Sequence, residues 1–214
     1  NNTLNSLAYY GGIEYFFKNF SDYFPNVLFL SIEILVGLFG NIFIMTAIAS
    51  SNELKESTIN ILIFNMAIAD IIISSFTNSF IIVTIFVGEE FFTQNRLFCD
   101  FLAAICLVVC ETSMISIFFL AINRYVNICH PKLFNKLFSK KMTYFYCLIA
   151  WTIGVLIDVP NIVGWGGHYY DRKVLACLWN RLVSHSYNIF FPISSIIIPS
   201  ICVFVLYMRI FLYV

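Results

Sequence analysis

Long apolar runs separated by short polar stretches dominate this chain. Each run is long enough to cross a bilayer as a helix, and few charged residues interrupt it. The pattern therefore predicts an all-α, polytopic membrane helix bundle at 25–214, preceded by a polar and aromatic extracellular segment at 1–24. The five predicted spans lie at about 25–50, 58–87, 97–129, 143–163 and 187–214.

Composition supports a membrane protein and excludes several other classes. Of 214 residues, 60% are hydrophobic and 11% charged, whereas a soluble domain has about 25% charged residues. The net charge is zero, so nothing indicates a nucleic-acid partner. No nucleophile–base pair or metal-spaced ligand set is evident, so we do not expect an enzyme.

The loops favour a topology with the amino terminus outside the cell. Two sequons, at Asn1 and Asn19, fit an extracellular amino-terminal segment that is glycosylated. The predicted inner loop 130–142 carries four lysines, whereas the predicted outer loop 88–96 carries one basic residue. We therefore expect a multi-pass protein of the plasma membrane.

The third apolar run has a cysteine at its outer end and an arginine at its inner end. Helical rise separates Cys99 from Arg124 by about 37 Å. Cys99 lies on the same side of the membrane as Cys177, and the two can pair in an oxidising compartment. One stripe of this helix also carries a mid-membrane serine, which favours a face turned into the bundle rather than into lipid. The stripe comprises Cys99, Cys106, Cys110, Ser113, Ile117, Leu120 and Arg124.

Three polar side chains lie at a similar depth in three different runs. Asn41, Asp70 and Ser113 are each roughly 14–18 Å from the inner boundary by helical rise. Together they could hold a small cation or a proton, and the alternative is three independent interhelical hydrogen bonds. Arg124 has an alternative too, since many arginines at helix ends are interfacial anchors.

Further polar and helix-breaking residues lie within the runs. Asp70, Glu111 and Asp158 could line an ion path, which is the pattern of an ion-coupled transporter or channel. Pro199 lies in the middle of the fifth run, where it should kink the helix and free a carbonyl.

An ordered set of short motifs identifies a family. It consists of Gly40-Asn41, Met66-Ala67-Ile68-Ala69-Asp70, Cys99, Ser113, Asn123-Arg124-Tyr125, Trp151, Cys177, Pro199 and Tyr207. With these residues the chain resembles rhodopsin-like (class A) G protein-coupled receptors along its whole length. It is most similar to the melatonin-receptor branch and its invertebrate orphan relatives, through Ile128-Cys129-His130, Val159-Pro160-Asn161, Tyr170-Asp171 and Tyr207-Met208-Arg209-Ile210-Phe211.

The resemblance implies roles for several of these residues. Cys99 and Cys177 would form a disulfide that tethers the long outer loop to span three. An allosteric sodium ion, the only cofactor expected, would bind at Asp70 and Ser113 with Asn41 close by. The residues implied in activation and in contact with a heterotrimeric G protein are Asn123, Arg124, Tyr125 and Tyr207.

The expected ligand pocket departs from that of amine receptors. Amine receptors place an aspartate where this chain has Cys106, so a cationic amine lacks its usual anchor. Glu111 or Asp158 could substitute for that aspartate.

The pocket also differs from that of melatonin receptors. Their asparagine is kept as Asn161, while Trp179 replaces a loop phenylalanine, Arg181 a loop glutamine and Ser195 a histidine of span five. An arginine favours a ligand with an acceptor or anionic group. The ligand is left open between a melatonin-like compound, another small non-amine molecule and a peptide. The pocket candidates are Cys106, Cys110, Glu111, Asn161, Trp179, Arg181 and Ser195.

The family has seven spans, whereas five are expected here. Because the sequence begins at Asn1 and stops after the fifth run, we expect a receptor fragment truncated after that span. A non-signalling truncated isoform is the other possibility within the family. The expected partners are an extracellular ligand, a G protein and the lipid bilayer.

Overall fold

Continuous apolar sequence produces continuous helices in the computed structural model, which describes residues 13–214. In chain order the helices are α1 (Ile13–Lys18), α2 (Phe20–Ser50), α3 (Asn52–Glu56), α4 (Thr58–Ile72), α5 (Asn78–Val87), α6 (Glu89–Gln94), α7 (Arg96–Cys129), α8 (Pro131–Leu137), α9 (Lys140–Ile162), α10 (His185–Pro192) and α11 (Ile198–Tyr213). Two π-helical segments, Ile73–Thr77 and Ile193–Ile197, join α4 to α5 and α10 to α11.

Taken with the two π-helical segments, these helices form five stretches that are long and apolar enough to cross a membrane, as predicted. Span one begins at Phe20, five residues earlier than the predicted 25, because the helix continues through Pro25. The other boundaries agree with the prediction to within three residues. We call the stretches spans one to five; they cover Phe20–Ser50, Thr58–Val87, Arg96–Cys129, Lys140–Ile162 and His185–Tyr213.

The regular α-helical hydrogen bonding of span five is interrupted just before Pro199. Proline has no N–H to donate, and the backbone here widens into the π-helical segment Ile193–Ile197. The π-helical segment next to Pro199 shows irregular backbone at the predicted place, whereas the predicted kink and free carbonyl stay predictions. Span two has a similar segment at Ile73–Thr77 with no proline in it, and the sequence did not predict it.

Span three lies at the centre of the bundle and packs against spans two, four and five. Its outer part contributes to an apolar cluster with Phe92 and Tyr170, and its inner part to one with Leu62 and Phe138. Span four packs tightly against it at Gly154, where a Cβ would lie 2.6 Å from the Val108 carbonyl oxygen. Helix packing at small residues of this kind is typical of membrane bundles.

A β-hairpin in the outer loop was not predicted. Strand β1 (His168–Asp171) pairs antiparallel with β2 (Ala176–Trp179), so that Tyr170 lies opposite Cys177. Asp171 Oδ1 closes the turn by accepting a hydrogen bond from the Lys173 amide at 2.8 Å. The strands have four residues each, so no long alternating pattern marked them in the sequence.

Candidate functional site

The hairpin is tied to the bundle at two points. The disulfide Cys99–Cys177, with a Cα–Cα distance of 5.3 Å, joins β2 to the outer end of span three and confirms the predicted pair. His168 Nε2 of β1 lies 2.9 Å from Asp158 Oδ1 of span four, and both side chains are buried. The loop is therefore held over the outer end of the bundle on both strands.

Charge also stabilises the hairpin turn. Burial alone would raise the pKa of the Asp171 carboxyl. Hydrogen bonds from the Tyr169 hydroxyl and the Lys173 amide, together with the charges of Arg181 and Lys173, lower this pKa by more than burial raises it. The net result is a pKa below the ordinary 3.8, so the carboxylate is present throughout the physiological range. Burial raises the pKa of Tyr170 well above its ordinary value of 10, which keeps that phenol neutral.

Asn161, a predicted ligand residue, forms a polar junction between span four, the loop and span five. Its Nδ2 donates to Asp158 Oδ1 at 3.0 Å and to Tyr187 Oη at 2.7 Å. Its Oδ1 accepts from the Gly167 amide at 3.0 Å. Both polar atoms of this side chain thus have partners within the protein.

Trp179 and Arg181 lie together beside this junction. The Arg181 guanidinium carbon is 4.9 Å from the centroid of the Trp179 ring, in cation–π contact. On its other side, Trp179 packs against Phe191 with ring centroids 4.8 Å apart. These two pocket candidates therefore form an aromatic and cationic surface next to span five.

Glu111 and Ser195 face each other deeper in the bundle, between spans three and five. Glu111 is 4% exposed and Ser195 is fully buried. Within residues 13–214, Glu111 Oε2 and Ser195 Oγ make no well-formed hydrogen bond. A buried polar group without a partner costs about 1–3 kcal/mol, so this pair is suited to an added donor or acceptor.

Apart from Cys99, which is buried, the predicted stripe forms the more open face of span three within the described residues. Cys106 and Ser113 are half-buried, while Cys110 and Arg124 are exposed. The other face is covered because spans two and four pack on it. Among the seven pocket candidates, the structure brings together Trp179 with Arg181, Glu111 with Ser195, and Cys106 with Cys110. Asn161 is linked to Trp179 through Tyr187 and Phe191.

Two of the residues predicted to hold sodium, Asn41 and Asp70, line a cavity between spans one and two, and Ser113 of span three contacts Asp70. Ser113 Oγ donates to Asp70 Oδ1 at 3.1 Å, so this predicted contact exists. Asn41 and Asp70 line the same open cavity of about 470 Å³. The Asn41 amide donates to the Gly37 carbonyl at 2.8 Å, which leaves its Oδ1 available. Carboxylate, hydroxyl and amide oxygens are suitable ligands for a hard cation.

At the cytoplasmic end, neighbouring residues of span three have opposite environments. Asn123 is 1% exposed, and its Nδ2 donates to Thr58 Oγ1 of span two at 3.3 Å. Arg124 is exposed and forms no ion pair with any residue of 13–214. Tyr125 Oη contacts His130 Nε2 at 3.1 Å, and Tyr207 of span five is half exposed.

The prediction missed a polar network that links three spans. Trp151 Nε1 donates to Asn65 Oδ1 at 3.0 Å, and Asn65 Nδ2 donates to Ser116 Oγ at 2.9 Å. Each of these residues lies inside an apolar run, which is the signal that identified Asp70 and Ser113. The same signal marked Asp158, whereas its partner His168 lies in a loop and was not expected to contact it.

The predicted glycosylation sites remain predictions. Asn1 lies outside the described residues. Asn19 lies between α1 and α2, where its Nδ2 donates to the Tyr15 carbonyl at 3.0 Å. Glycosylation replaces one of the two hydrogens on this nitrogen and leaves one N–H as a donor.

Comparison with known proteins identifies the family. Residues 40–214 match the model of the seven-transmembrane receptors of the rhodopsin family. Melatonin receptor type 1C of Gallus gallus is 29% identical over 86% of this chain and 52% of its own length, and melatonin receptor type 1A of Phodopus sungorus is 27% identical over 86% and 51%. The alpha-1A adrenergic receptor of Oryzias latipes is 24% identical over 85% and 37%.

The chain spans about half the length of the melatonin receptors that it matches. The match begins in span one and reaches Val214, and it therefore includes every predicted motif of the bundle. With five membrane spans and a family match over most of its residues, this multi-pass plasma membrane protein belongs to the rhodopsin family of seven-transmembrane receptors.

Proposed function

We propose that the intact protein is a receptor that binds an extracellular ligand and passes a conformational change to a heterotrimeric G protein. Span three carries the proposal: it is one helix, Arg96–Cys129, that runs from the tethered hairpin to an unpaired Arg124. A ligand that binds one conformation of the outer end more tightly shifts the population at the inner end. Proteins of this family are signalling receptors, not enzymes.

We infer that the ligand is a small molecule that combines a flat ring with hydrogen-bonding groups. Trp179 offers an aromatic face for stacking, and Arg181 next to it offers a guanidinium for an acceptor or anionic group. Glu111 Oε2 and Ser195 Oγ face each other and form no well-formed hydrogen bond within the described bundle, so both can take a ligand group. Melatonin, which the names of the relatives indicate for those proteins, is the first probe to use.

Replacing Arg124 with alanine is expected to abolish signalling while the receptor still folds. The side chain is exposed and unpaired, so its loss costs little stability, but a G protein loses its charged contact at the inner end of span three. The test is receptor-dependent nucleotide exchange by the G protein in membranes with the full-length gene product, measured with and without melatonin. We expect exchange to fall by about thirtyfold or more, since truncating one partner of a charge pair buried in an interface costs about 2–5 kcal/mol.

Arg209 supplies the matched control for this experiment. It is an exposed arginine at the cytoplasmic end of span five, and Arg209→Ala should change exchange far less than Arg124→Ala does. Equal exchange by the wild-type receptor and Arg124→Ala would contradict the role proposed for Arg124.

We also propose that sodium binds at Asp70 and Ser113, with Asn41 across the cavity, and stabilises the inactive conformation. The support is the 3.1 Å Ser113–Asp70 contact and the cavity beside it, which Asp70 and Asn41 line. A bound ion stabilises the folded state in proportion to the logarithm of its concentration. The intact receptor should therefore melt at a higher temperature in sodium chloride than in choline chloride.

Asp70→Asn is expected to remove most of this sodium-dependent rise in melting temperature, because Asp70 is the one carboxylate among the three proposed ligands. The matched control is Asp100→Asn, since Asp100 is a half-buried carboxylate at the outer end of span three, outside the cavity. An equal rise in the wild type and in Asp70→Asn would show that the ion acts elsewhere.

A further inference from the structure

Span one carries an acidic side chain near its middle, at Glu33. The side chain is exposed and forms no ion pair within residues 13–214. A carboxylate at this depth of the membrane is costly unless it faces water or a counter-ion. Glu33 lines the cavity of about 470 Å³ between spans one and two, on which Asn41 and Asp70 also lie. A volume of that size holds about fifteen waters, so the carboxylate has room for solvent or for a hydrated ion.

The polar residues of the cavity lie at successive levels of the two spans. In span one, Glu33 lies eight residues outward of Asn41, about 12 Å by helical rise. In span two, Asn78 lies eight residues outward of Asp70. Because the two spans run in opposite directions, Glu33 and Asn78 share an outer level, while Asn41 and Asp70 share an inner one. The cavity therefore has an outer part that is separate from the predicted sodium contacts.

Ser74 lies between these two levels and is a buried polar group without a partner. It is 6% exposed, and its hydroxyl makes no hydrogen bond within the described residues. The oxygen lies directly against Gly37 of span one, where a Cβ would collide with it. Its neighbour Ser75, by contrast, donates to the Ile71 carbonyl at 2.6 Å and does not line the cavity. A buried hydroxyl without a partner is costly, so the Ser74 oxygen is suited to an added ligand.

Charge and ligand type at the outer level favour a hard, monovalent cation. Asn78 is half-buried, and its side chain makes no hydrogen bond within the part of the chain that the structure describes. Glu33, Ser74 and Asn78 thus offer a carboxylate, a hydroxyl and an amide oxygen, which are the ligand types that hard cations prefer. No basic side chain is among the described residues that line the cavity. The single carboxylate balances one positive charge, and water can complete the coordination.

We propose that Glu33, Ser74 and Asn78 form a second cation site, which binds a sodium ion outward of Asp70. The site is distinct from the one proposed at Asp70 and Ser113, and it does not depend on that site. Both open into one cavity, so an ion that leaves the outer site reaches Asp70 without crossing lipid. The alternative is a protonated Glu33 that binds no cation.

The test is labelling of Glu33 in the intact receptor by dicyclohexylcarbodiimide, a membrane-permeant reagent that adds to protonated carboxyl groups. Peptide mass spectrometry measures the labelling rate as sodium chloride replaces choline chloride at constant ionic strength and pH. Bound sodium holds the carboxylate ionised, so we expect the rate to fall by about threefold once sodium reaches twice the Kd of the outer site. Asp22, an exposed acid of span one outside the cavity, should be labelled equally in both salts.

Two neighbouring serines supply matched variants for this experiment. Ser74→Ala should raise the Kd measured from Glu33 labelling by about fivefold, the usual contribution of one uncharged hydrogen-bonding group. Ser75→Ala should leave this Kd near the wild-type value, since its hydroxyl is bonded within its own helix. Protection of Glu33 should persist in Asp70→Asn, so failure of the inner site and failure of the outer site give different results.

Equal labelling of Glu33 in sodium and in choline overturns the proposal, because it identifies a protonated acid that binds no cation. Equal Kd values in Ser74→Ala and Ser75→Ala overturn it as well. Loss of protection in Asp70→Asn also overturns it, since the effect of sodium would then belong to the inner site. Melting temperatures of the variants show whether each one is folded.

Discussion

Replacing Gly154 with alanine is expected to destabilise the bundle markedly, although alanine is the better helix former. A Cβ at this position would lie 2.6 Å from the Val108 carbonyl oxygen and 3.0 Å from Thr112 Oγ1. The carbonyl belongs to the backbone of span three and cannot move away without separating the helices. Overpacking of this kind costs about 1–3 kcal/mol, and we expect a loss of that size in the free energy of unfolding.

Gly40 provides a control with the opposite expected sign. It also lies inside a spanning helix, but a Cβ there would meet nothing within 4 Å. Gly40→Ala should therefore be neutral or stabilising by up to about 1 kcal/mol, which is the difference in helix propensity. Thermal unfolding of the purified variants, followed by tryptophan fluorescence, compares the two. Equal effects of Gly40→Ala and Gly154→Ala would show that spans three and four do not approach each other as closely as described.

The sequence predicted those features that depend on a single helix or on one property shared by several helices. Span boundaries were predicted well because each apolar run must satisfy its own backbone hydrogen bonds within the membrane. The similar depth of Asp70 and Ser113 was predicted because depth in the membrane follows from residue count alone, but their place at one site rested on the family resemblance. The Cys99–Cys177 pair could be predicted because the topology places both cysteines on the same side of the membrane.

Features that depend on relative helix rotation and loop conformation could not be predicted in this way. Depth does not say which way a side chain points, so the partners of Asn65 and Asn123 were missed. His168 was treated as a loop residue, since nothing in the sequence shows that a hairpin places it against Asp158. The π-helical segment at Ile73–Thr77 contains no proline, so no helix-breaking residue predicted it.

Buried polar residues in this bundle fall into two physical classes. One class is satisfied within the chain; Asn161 and Asn65 have partners for both side-chain atoms. The other class has no complete set of partners within residues 13–214 and includes Glu111 and Ser195. Residues of the first class hold helices together, and residues of the second are the better candidates for ligand contacts. On this criterion Glu111 ranks above Asn161 as a pocket residue.

Loss of the Cys99–Cys177 disulfide is expected to have the largest effect on stability of any single substitution discussed. The bond closes a loop of 78 residues, for which the chain-entropy relation gives about 4.5 kcal/mol. Spans three and four remain helical in the bilayer after unfolding, so the constraint on the unfolded state is weaker. We therefore expect Cys99→Ser to lower the free energy of unfolding by about 2–4 kcal/mol.

The serine variants of both cysteines test whether this cost comes from the bond itself. Cys99→Ser, Cys177→Ser and the double variant should lose similar free energy, because each removes the same bond and the effects cannot add. Cys202→Ser, at a free cysteine in span five, is the control and should stay near the wild type. In the disulfide variants the buried His168–Asp158 pair still holds β1, so the hairpin should loosen at β2 first. Faster hydrogen exchange at Ala176–Trp179 than at His168–Asp171 would reveal that order, and equal rates in both strands would contradict it.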